Sequence, residues 1–172
     1  MAYLIVVDLQ REFVKDDIGM LVYKRCLDYI KTCGHNYDEV IAAVYKNTDS
    51  RNMHALVRWE EMQKIQKLDF QPTKMYVHSG YSIGNRLNFG DHVKCDVIGF
   101  DTDACVLSTC FDLFNMDTNF RILADGCWSS GGKEMHQHGI AIMKRQFNKA
   151  LDTTTSLVET CEAQLKLNRS LR

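Results

Sequence analysis

The 172-residue sequence has little charge imbalance, no long hydrophobic run and only one proline. Its 21 basic and 22 acidic residues give a net charge of −1, which provides no overall electrostatic attraction for nucleic acid. No stretch approaches the roughly 20 apolar residues that a membrane-spanning helix needs. We therefore expect a soluble, unexported, cytoplasmic protein that binds neither nucleic acid nor a membrane.

The sequence also lacks a CxxC pair and any cysteine and histidine spacing typical of a zinc site. It has seven cysteines, an odd number, and most of them lie in apolar helix or strand patterns. Disulfide frameworks of small secreted proteins contain even numbers of cysteines. Reduced thiols in a cytosolic protein are the better interpretation, so most of these cysteines are expected to be small buried hydrophobic residues.

No internal repeat, low-complexity tract or linker divides the chain, and its length suits one domain over residues 1–172. Apolar strand-like runs alternate with helical periodicities. This alternation predicts an α/β fold, a three-layer, doubly wound, mainly parallel sheet with helices on both faces and a Rossmann-like layout. The predicted strands are 3–7, 39–45, 74–78, 94–100 and 119–124. The predicted helices are 20–32, 53–67, 104–115, 133–147 and 155–167.

Three of the predicted strands end in chemically active side chains. Asp8 ends the first strand, His78 ends the third, and the polar turn 101–103 with Cys105 follows the fourth. Ligands of open α/β sheets bind beyond the carboxyl ends of the strands. We therefore expect these side chains to converge on one active site.

Cys105 lies where a strand gives way to a helix. The free N–H groups and the dipole of a helix N-terminus lower the pKa of a thiol, so the position favours a thiolate nucleophile. A packed core cysteine is the alternative. Asp8 follows four apolar residues, where a partly desolvated carboxylate is suited to accept a proton. For Asp8 the alternative is a strand-end residue that caps a loop.

Several motifs together resemble the isochorismatase-like cysteine hydrolases, a family that includes nicotinamidases, N-carbamoyl amide hydrolases and isochorismatases. The resemblance covers nearly the whole chain. Its specific part is the opening LIVVDLQREF at 4–13 followed, in this order and spacing, by GxxTDxCV at 99–106. The pair Tyr81-Ser82 and the segment ADGCWS at 124–129 add to it.

The resemblance implies a Cys–Asp–Lys catalytic set in which Cys105 is the nucleophile and Asp8 takes and returns its proton. It also implies a non-proline cis peptide bond at Phe100-Asp101, with the amides of Asp101 and Cys105 forming an oxyanion hole. The reaction implied is cleavage of a C–N bond in a small amide-like substrate through a Cys105 thioester, by a homo-oligomer (dimer or tetramer). The substrate-binding or oxyanion positions are Asp101, Phe13, Tyr81 and Thr102.

The chain departs from the family pattern at the lysine, because His78 occupies its position three residues before Tyr81. A histidine can donate a hydrogen bond to Asp8 or to the thiolate, but near pH 7 it carries only part of a lysine's charge. Two outcomes stay open. The chain is a working hydrolase with altered pH dependence, or it is a catalytically impaired relative that binds a small molecule or a protein.

The metal-binding Asp-x-His pair of the family's nicotinamidases is absent from the corresponding stretch 46–54, so we expect no metal and no cofactor. His136 and His138 are two residues apart in a predicted helix and do not share a helix face, which indicates surface histidines. Trp59 and Trp128 are candidates to line the pocket, with core packing as the alternative for Trp59. An amide and a vinyl ether substrate are not distinguished by the sequence.

Overall fold

The computed structural model describes residues 1–47, 62, 64–65, 67–87, 89, 93–153 and 157. Within these residues, six parallel strands form one sheet in the order β3-β2-β1-β4-β5-β6. No helix in this part of the chain is long and apolar enough to cross a membrane. The strands are β1 (Ala2–Val7), β2 (Glu39–Tyr45), β3 (Lys74–His78), β4 (Lys94–Phe100), β5 (Asn119–Trp128) and β6 (Leu151–Asp152). The helices are α1 (Asp17–Cys33), α2 (Cys105–Asn115) and α3 (Lys133–Phe147).

The side chains of the sheet alternate between two apolar layers. On β1, Leu4 and Val6 pack in the layer that α1 covers, whereas Ile5 and Val7 pack in the layer that α2 and α3 cover. All four side chains are buried. A parallel strand that is covered on both faces needs an apolar residue at every position, which is why the continuous run at 4–7 forms a central strand. The predicted three-layer α/β fold is confirmed.

The predicted bounds of β2, β3, β4 and α3 agree with the structure. Strand β5 is longer than predicted and continues to Trp128, past a register irregularity between Val97 and Gly99 on β4. Strand β6 was not predicted, because two residues are too short for an alternating pattern. Most of the predicted helix 53–67, with Trp59, and of the terminal helix 155–167 lies outside the described residues.

The chain leaves β1 and β4 towards opposite faces of the sheet, and this divergence creates the crevice in which α/β folds bind ligands. Gly99 lies at this junction with a φ of +131°. A Cβ atom there would overlap the Val7 carbonyl oxygen. The absence of a side chain at position 99 therefore lets β1 and β4 approach closely beside Asp8.

The structure corrects one prediction about the cysteines. Cys33, the last residue of α1, is disulfide-bonded, so the prediction of reduced thiols is wrong at this position. An apolar helix pattern suits a half-cystine as well as a free thiol, since both are buried. Among the described residues, Cys26, Cys95, Cys110 and Cys127 are free and buried as expected, and Cys105 is also free and buried.

Candidate active site

The carboxyl ends of β1 and β3 and the first turn of α2 bring Asp8, His78 and Cys105 together. His78 Nε2 lies 2.9 Å from Asp8 Oδ1. The Asp8 carboxylate also acts on the Cys105 thiol, and its second oxygen, Oδ2, is buried with no hydrogen-bond partner among the described residues. Asp8 is 0% exposed, His78 is 4% exposed and Cys105 is 5% exposed. A carboxylate, an imidazole and a thiol thus share one desolvated site at the crevice between β1 and β4.

Both ring nitrogens of His78 face hydrogen-bond acceptors. Nδ1 lies 3.0 Å from the Gly80 carbonyl oxygen, which can only accept, so Nδ1 carries a hydrogen. Nε2 faces the Asp8 carboxylate, which also accepts when ionised. Burial lowers the pKa of His78, but the hydrogen bond and charge of Asp8 and the bond to Gly80 outweigh burial and raise it above the ordinary histidine value. The arrangement therefore favours an imidazolium at the position where a lysine was expected.

Cys105 does not have the low thiol pKa that its helix-start position predicts. Burial raises the pKa of the Cys105 thiol well above its ordinary value, and the charge of Asp8 raises it further. The Asp101 backbone N–H, which hydrogen-bonds to the sulfur, lowers the pKa but does not compensate. Desolvation is the largest cause of this shift, so the predicted lowering of the pKa is not found. The resting group is a thiol, which must transfer its proton to a neighbour as it reacts.

The turn before α2 contains a cis peptide bond at Phe100-Asp101, and that prediction is confirmed. The Asp101 carbonyl accepts hydrogen bonds from the amides of Ala104 (3.1 Å) and Val106 (3.0 Å). The amide of Cys105, as the first residue of α2, has no acceptor within the helix. The amides of Asp101 and Cys105 are therefore the donors available beside the sulfur.

The Asp101 side chain is used to hold this turn in place. Its carboxylate accepts hydrogen bonds from Ser130 N at 2.5 Å and Ser130 Oγ at 2.7 Å. Burial raises the pKa of Asp101 to about 6, against the lowering effect of the Ser130 bonds. The loop between β5 and α3 thus helps to fix the turn through the Asp101 side chain.

Gln10 and Tyr45 support the site from the neighbouring strand. Gln10 Nε2 donates to the Tyr45 carbonyl at 3.1 Å, and Tyr45 N donates to Gln10 Oε1 at 2.8 Å. The Tyr45 ring packs edge-on against the His78 ring, with centroids 5.8 Å apart. Burial raises the pKa of Tyr45, and the nearby Cys105 thiol adds to this effect. The sequence interpretation missed Tyr45, although its place at the carboxyl end of β2 was a usable signal.

The other predicted substrate-binding residues lie in three different environments. Phe13 is 1% exposed and packs edge-on against Tyr45, with ring centroids 6.1 Å apart. Thr102 is fully buried, and its hydroxyl oxygen lies 2.9 Å from His136 Nδ1. Tyr81 is 57% exposed. Of the three, Tyr81 is therefore the side chain open to an incoming molecule.

His136 corrects the interpretation of both histidines of α3 as surface residues. It is half-buried and stacks on Trp128, with ring centroids 4.7 Å apart and an angle of 30° between the planes. His138 is exposed, as predicted. Because the two residues lie on different helix faces, one can face the sheet while the other faces outward. The sequence does not show which of the two points inward.

The described residues contain no group of three or more His, Cys, Asp or Glu side chains that could hold a metal ion. The prediction that no metal is bound was based on the stretch 46–54, and most of that stretch lies outside the described residues. A cleft of about 430 Å³ opens along the loop after Asp8. Its lining includes Leu9, Gln10, Arg11, Tyr23 and Leu68, so it adjoins the site without containing Cys105.

Comparisons with known proteins place the site in context. A family model described as the isochorismatase domain matches residues 93–155, which include β4, the turn, α2, β5 and α3. No curated protein sequence matches the chain significantly. The solved structures with similar folds include three at 15–16% identity.

The nicotinamidase PncA of Bacillus subtilis has a TM-score of 0.70 and 16% identity, with 87% of this chain and 98% of that chain covered. An isochorismatase-like hydrolase of Alkaliphilus metalliredigens has a TM-score of 0.67 and 16% identity, covering 94% and 98%. A MAR1 ribonuclease of Caenorhabditis elegans has a TM-score of 0.56 and 15% identity, covering 93% and 79%. At identities this low, the structural similarity establishes a common fold, and the chemistry must be inferred from the residues of the site.

Proposed function

We propose that this chain, whose fold and segment 93–155 resemble the isochorismatase-like hydrolases, is a cysteine hydrolase that cleaves a C–N bond of a small amide-like molecule. The observation that carries the proposal is the contact set of Asp8 with His78 and Cys105. His78 supplies the positive charge of the missing lysine, because both of its nitrogens face acceptors. Asp8 is the proton acceptor next to the thiol.

Acylation begins from the neutral Cys105 thiol. As the sulfur attacks the carbonyl carbon of the amide, the thiol proton passes to Asp8 and the carbonyl oxygen takes up the electron pair of the C=O bond. The amides of Asp101 and Cys105 donate hydrogen bonds to this oxyanion. When the C–N bond breaks, Asp8 returns the proton to the nitrogen. An amine or ammonia leaves, and a thioester remains on Cys105.

Water then hydrolyses the thioester. Asp8 takes one proton from the water as its oxygen bonds to the acyl carbon, and the C–S bond breaks when the tetrahedral intermediate collapses. The departing sulfur recovers the proton from Asp8, and a carboxylic acid is released. His78 stays protonated throughout, and its charge lowers the cost of holding the Asp8 carboxylate in a fully buried position.

Ammonia or amine release from a panel of small amides tests this function. We expect turnover by the wild type and a loss of at least about 1,000-fold in Cys105→Ala, because the covalent route is removed. Cys110→Ala is the matched control, since Cys110 is also a buried free cysteine of α2 and should leave turnover within a few-fold. Equal turnover in wild type and Cys105→Ala would contradict the mechanism. Amide binding without turnover by the wild type would instead support the alternative of a binding protein.

A further inference from the structure

We propose that His136 is a positioning residue, which holds the turn 101–105 through Thr102 so that the Asp101 amide stays directed at the Cys105 sulfur. The proposal rests on the hydrolase function proposed above. His136 does not touch the sulfur. It acts through the hydrogen bond of 2.9 Å between its Nδ1 and the Thr102 hydroxyl oxygen. Thr102 is fully buried and directly follows the residue whose amide bonds to the sulfur.

Helix α3 packs directly on the backbone of the turn, next to this hydrogen bond. Gly139 lies one helical turn after His136, on the same helix face. A Cβ atom on Gly139 would come within 2.8 Å of both the Thr102 carbonyl carbon and the Asp103 amide nitrogen. The missing side chain at position 139 therefore allows the close approach that brings the His136 ring to Thr102.

The His136 ring is fixed from its other side by Trp128. The two rings stack with centroids 4.7 Å apart, and Trp128 Nε1 donates to Asp16 Oδ1 at 3.1 Å. The Trp128 carbonyl also accepts a hydrogen bond from the Thr102 amide at 3.0 Å. Thr102 is thus held by its side chain through His136 and by its main chain through Trp128. A residue bound on two sides in this way sets the path of the turn between β4 and α2.

The protonation state of His136 decides the direction of its hydrogen bond. Burial lowers the pKa of His136, and the charge of Asp103 opposes this effect without reversing it. The neutral imidazole at pH 7 offers Nδ1 as an acceptor for the Thr102 hydroxyl. Protonation places a hydrogen on Nδ1, so the ring then donates to the Thr102 hydroxyl oxygen and the Thr102 hydroxyl hydrogen loses this acceptor. The charge of Asp103 in the turn acts on the ring, Asp16 bonds to the Trp128 that stacks on it, and Lys133 and Glu134 precede His136 on α3.

Three variants test the proposal. His136→Ala removes the hydrogen bond, His136→Asn retains an acceptor that does not titrate, and His138→Ala changes an exposed histidine of the same helix. At pH 7.5 we expect kcat to fall roughly five- to tenfold in His136→Ala, the loss expected for one hydrogen bond, with KM unchanged within twofold. His136→Asn should recover most of kcat, and His138→Ala should match the wild type. Below pH 6.5 the ratio of kcat in His136→Asn to kcat in the wild type should rise.

Alkylation of Cys105 by iodoacetamide, followed by peptide mass spectrometry, gives a measurement that needs no turnover. Because the Asp101 amide lowers the pKa of the Cys105 thiol, its displacement should move the pH midpoint of alkylation upward in His136→Ala. Cys110, in the same helix, serves as an internal reference that should not move. The alkylation measurement tests the role of His136 even if the wild type hydrolyses no amide. A lack of hydrolysis by the wild type would refute only the proposed hydrolase function.

An unchanged midpoint and an unchanged kcat in His136→Ala would overturn the proposal, even if the melting temperature falls. If His136→Ala does not fold, the single variants Thr102→Val and His136→Phe and the double variant Thr102→Val/His136→Phe replace it, since phenylalanine keeps an aromatic ring at the position but has no hydrogen-bond acceptor. We then expect the second substitution to add no loss to the first, because both break the same hydrogen bond. Additive losses would show that the two residues act independently and would refute the inference.

Discussion

A lysine ammonium and a histidine imidazolium are both cations, but they lose their protons in different pH ranges. His78 is held by Asp8 and Gly80 in a geometry that favours the charged ring, and its pKa is raised above the ordinary histidine value of about 6.5. A group whose pKa is raised on folding contributes stability below its unfolded pKa and loses that contribution as the pH rises through the folded pKa. The charge of His78, and the stability it adds, should therefore disappear on the alkaline side.

This difference predicts the pH dependence of catalysis. We expect turnover of the wild type to fall as the pH rises through the raised pKa of His78, whereas His78→Lys should keep its rate up to higher pH, because a lysine stays charged there. His78→Gln, which can hydrogen-bond but carries no charge, should lose about 100-fold at pH 7. Profiles of kcat against pH measure both effects, with His138→Gln as the control. An identical alkaline limb in the wild type and in His78→Lys would contradict the assigned role of His78.

Some properties of the individual site residues could be predicted from the sequence and others could not. The positions of Asp8 and Cys105 were predictable, because each follows an apolar strand at the carboxyl edge of the sheet. The high pKa of the Cys105 thiol was not, since the helix dipole is readable from position whereas desolvation depends on the packed surroundings. The role of His136 was missed for a similar reason. Its contact with Thr102 depends on the rotation of α3 against the turn.

At the scale of elements, the junction of β1 and β4 depends on Gly99. We expect Gly99→Ala to destabilise the fold by at least about 2 kcal/mol, because alanine disfavours a φ of +131° and its Cβ would overlap the Val7 carbonyl oxygen. Gly34→Ala is the matched control. Gly34 has an ordinary helical φ of −55°, and a Cβ there would make only contacts of 3.5 Å or more, so stability should change little or rise slightly. Urea unfolding measures both, and equal effects would refute the assignment.

Strands and helices were predicted correctly where one hydrophobic pattern persisted over several residues, and incorrectly where that pattern changed. Strands β2, β3 and β4 were predicted with the bounds that they have, because they are short apolar runs with polar ends. Strand β5 was predicted too short, since Asp125 and Gly126 resemble a loop in the sequence. They remain in the strand because β5 pairs again with β4 after the irregularity, at Cys127 and Trp128. Such pairing cannot be inferred from either strand alone.

At the scale of the whole molecule, a polar network far from Cys105 connects α1, β4 and β5. Asp96 on β4 accepts hydrogen bonds from the Tyr37 hydroxyl at 2.5 Å and from Arg121 Nε and Nη2 at 2.9 Å each. Tyr37 in turn lies 2.5 Å from the hydroxyl oxygen of Tyr29 on α1. The network satisfies a carboxylate that is 9% exposed, so breaking it leaves polar groups unpaired in the interior.

We expect Asp96→Asn to lower the free energy of unfolding by about 2 kcal/mol and to leave the pH midpoint of Cys105 alkylation unchanged. The control is Lys74→Met, which breaks an ion pair between Lys74 and Glu39 at 2.7 Å. Lys74 is 52% exposed, so solvent screens the ion pair and this change should leave the free energy of unfolding nearly unchanged. Chemical unfolding monitored by circular dichroism measures the difference. A shift of the alkylation midpoint in Asp96→Asn would mean that the network and the site are coupled.

The expected dimer or tetramer remains a prediction.

Strand β3 lies at one end of the sheet and pairs with β2 alone among the described strands. It nevertheless carries His78, the proposed cation of the site. Terminal strands open locally at a lower free energy than central ones, without disturbing the rest of the fold. Each such opening would withdraw the imidazolium from Asp8 while β1, β4 and Cys105 remain in place. Hydrogen exchange of the β3 amides should therefore be faster than that of β1, and mild denaturant should abolish turnover before the global melting of the protein.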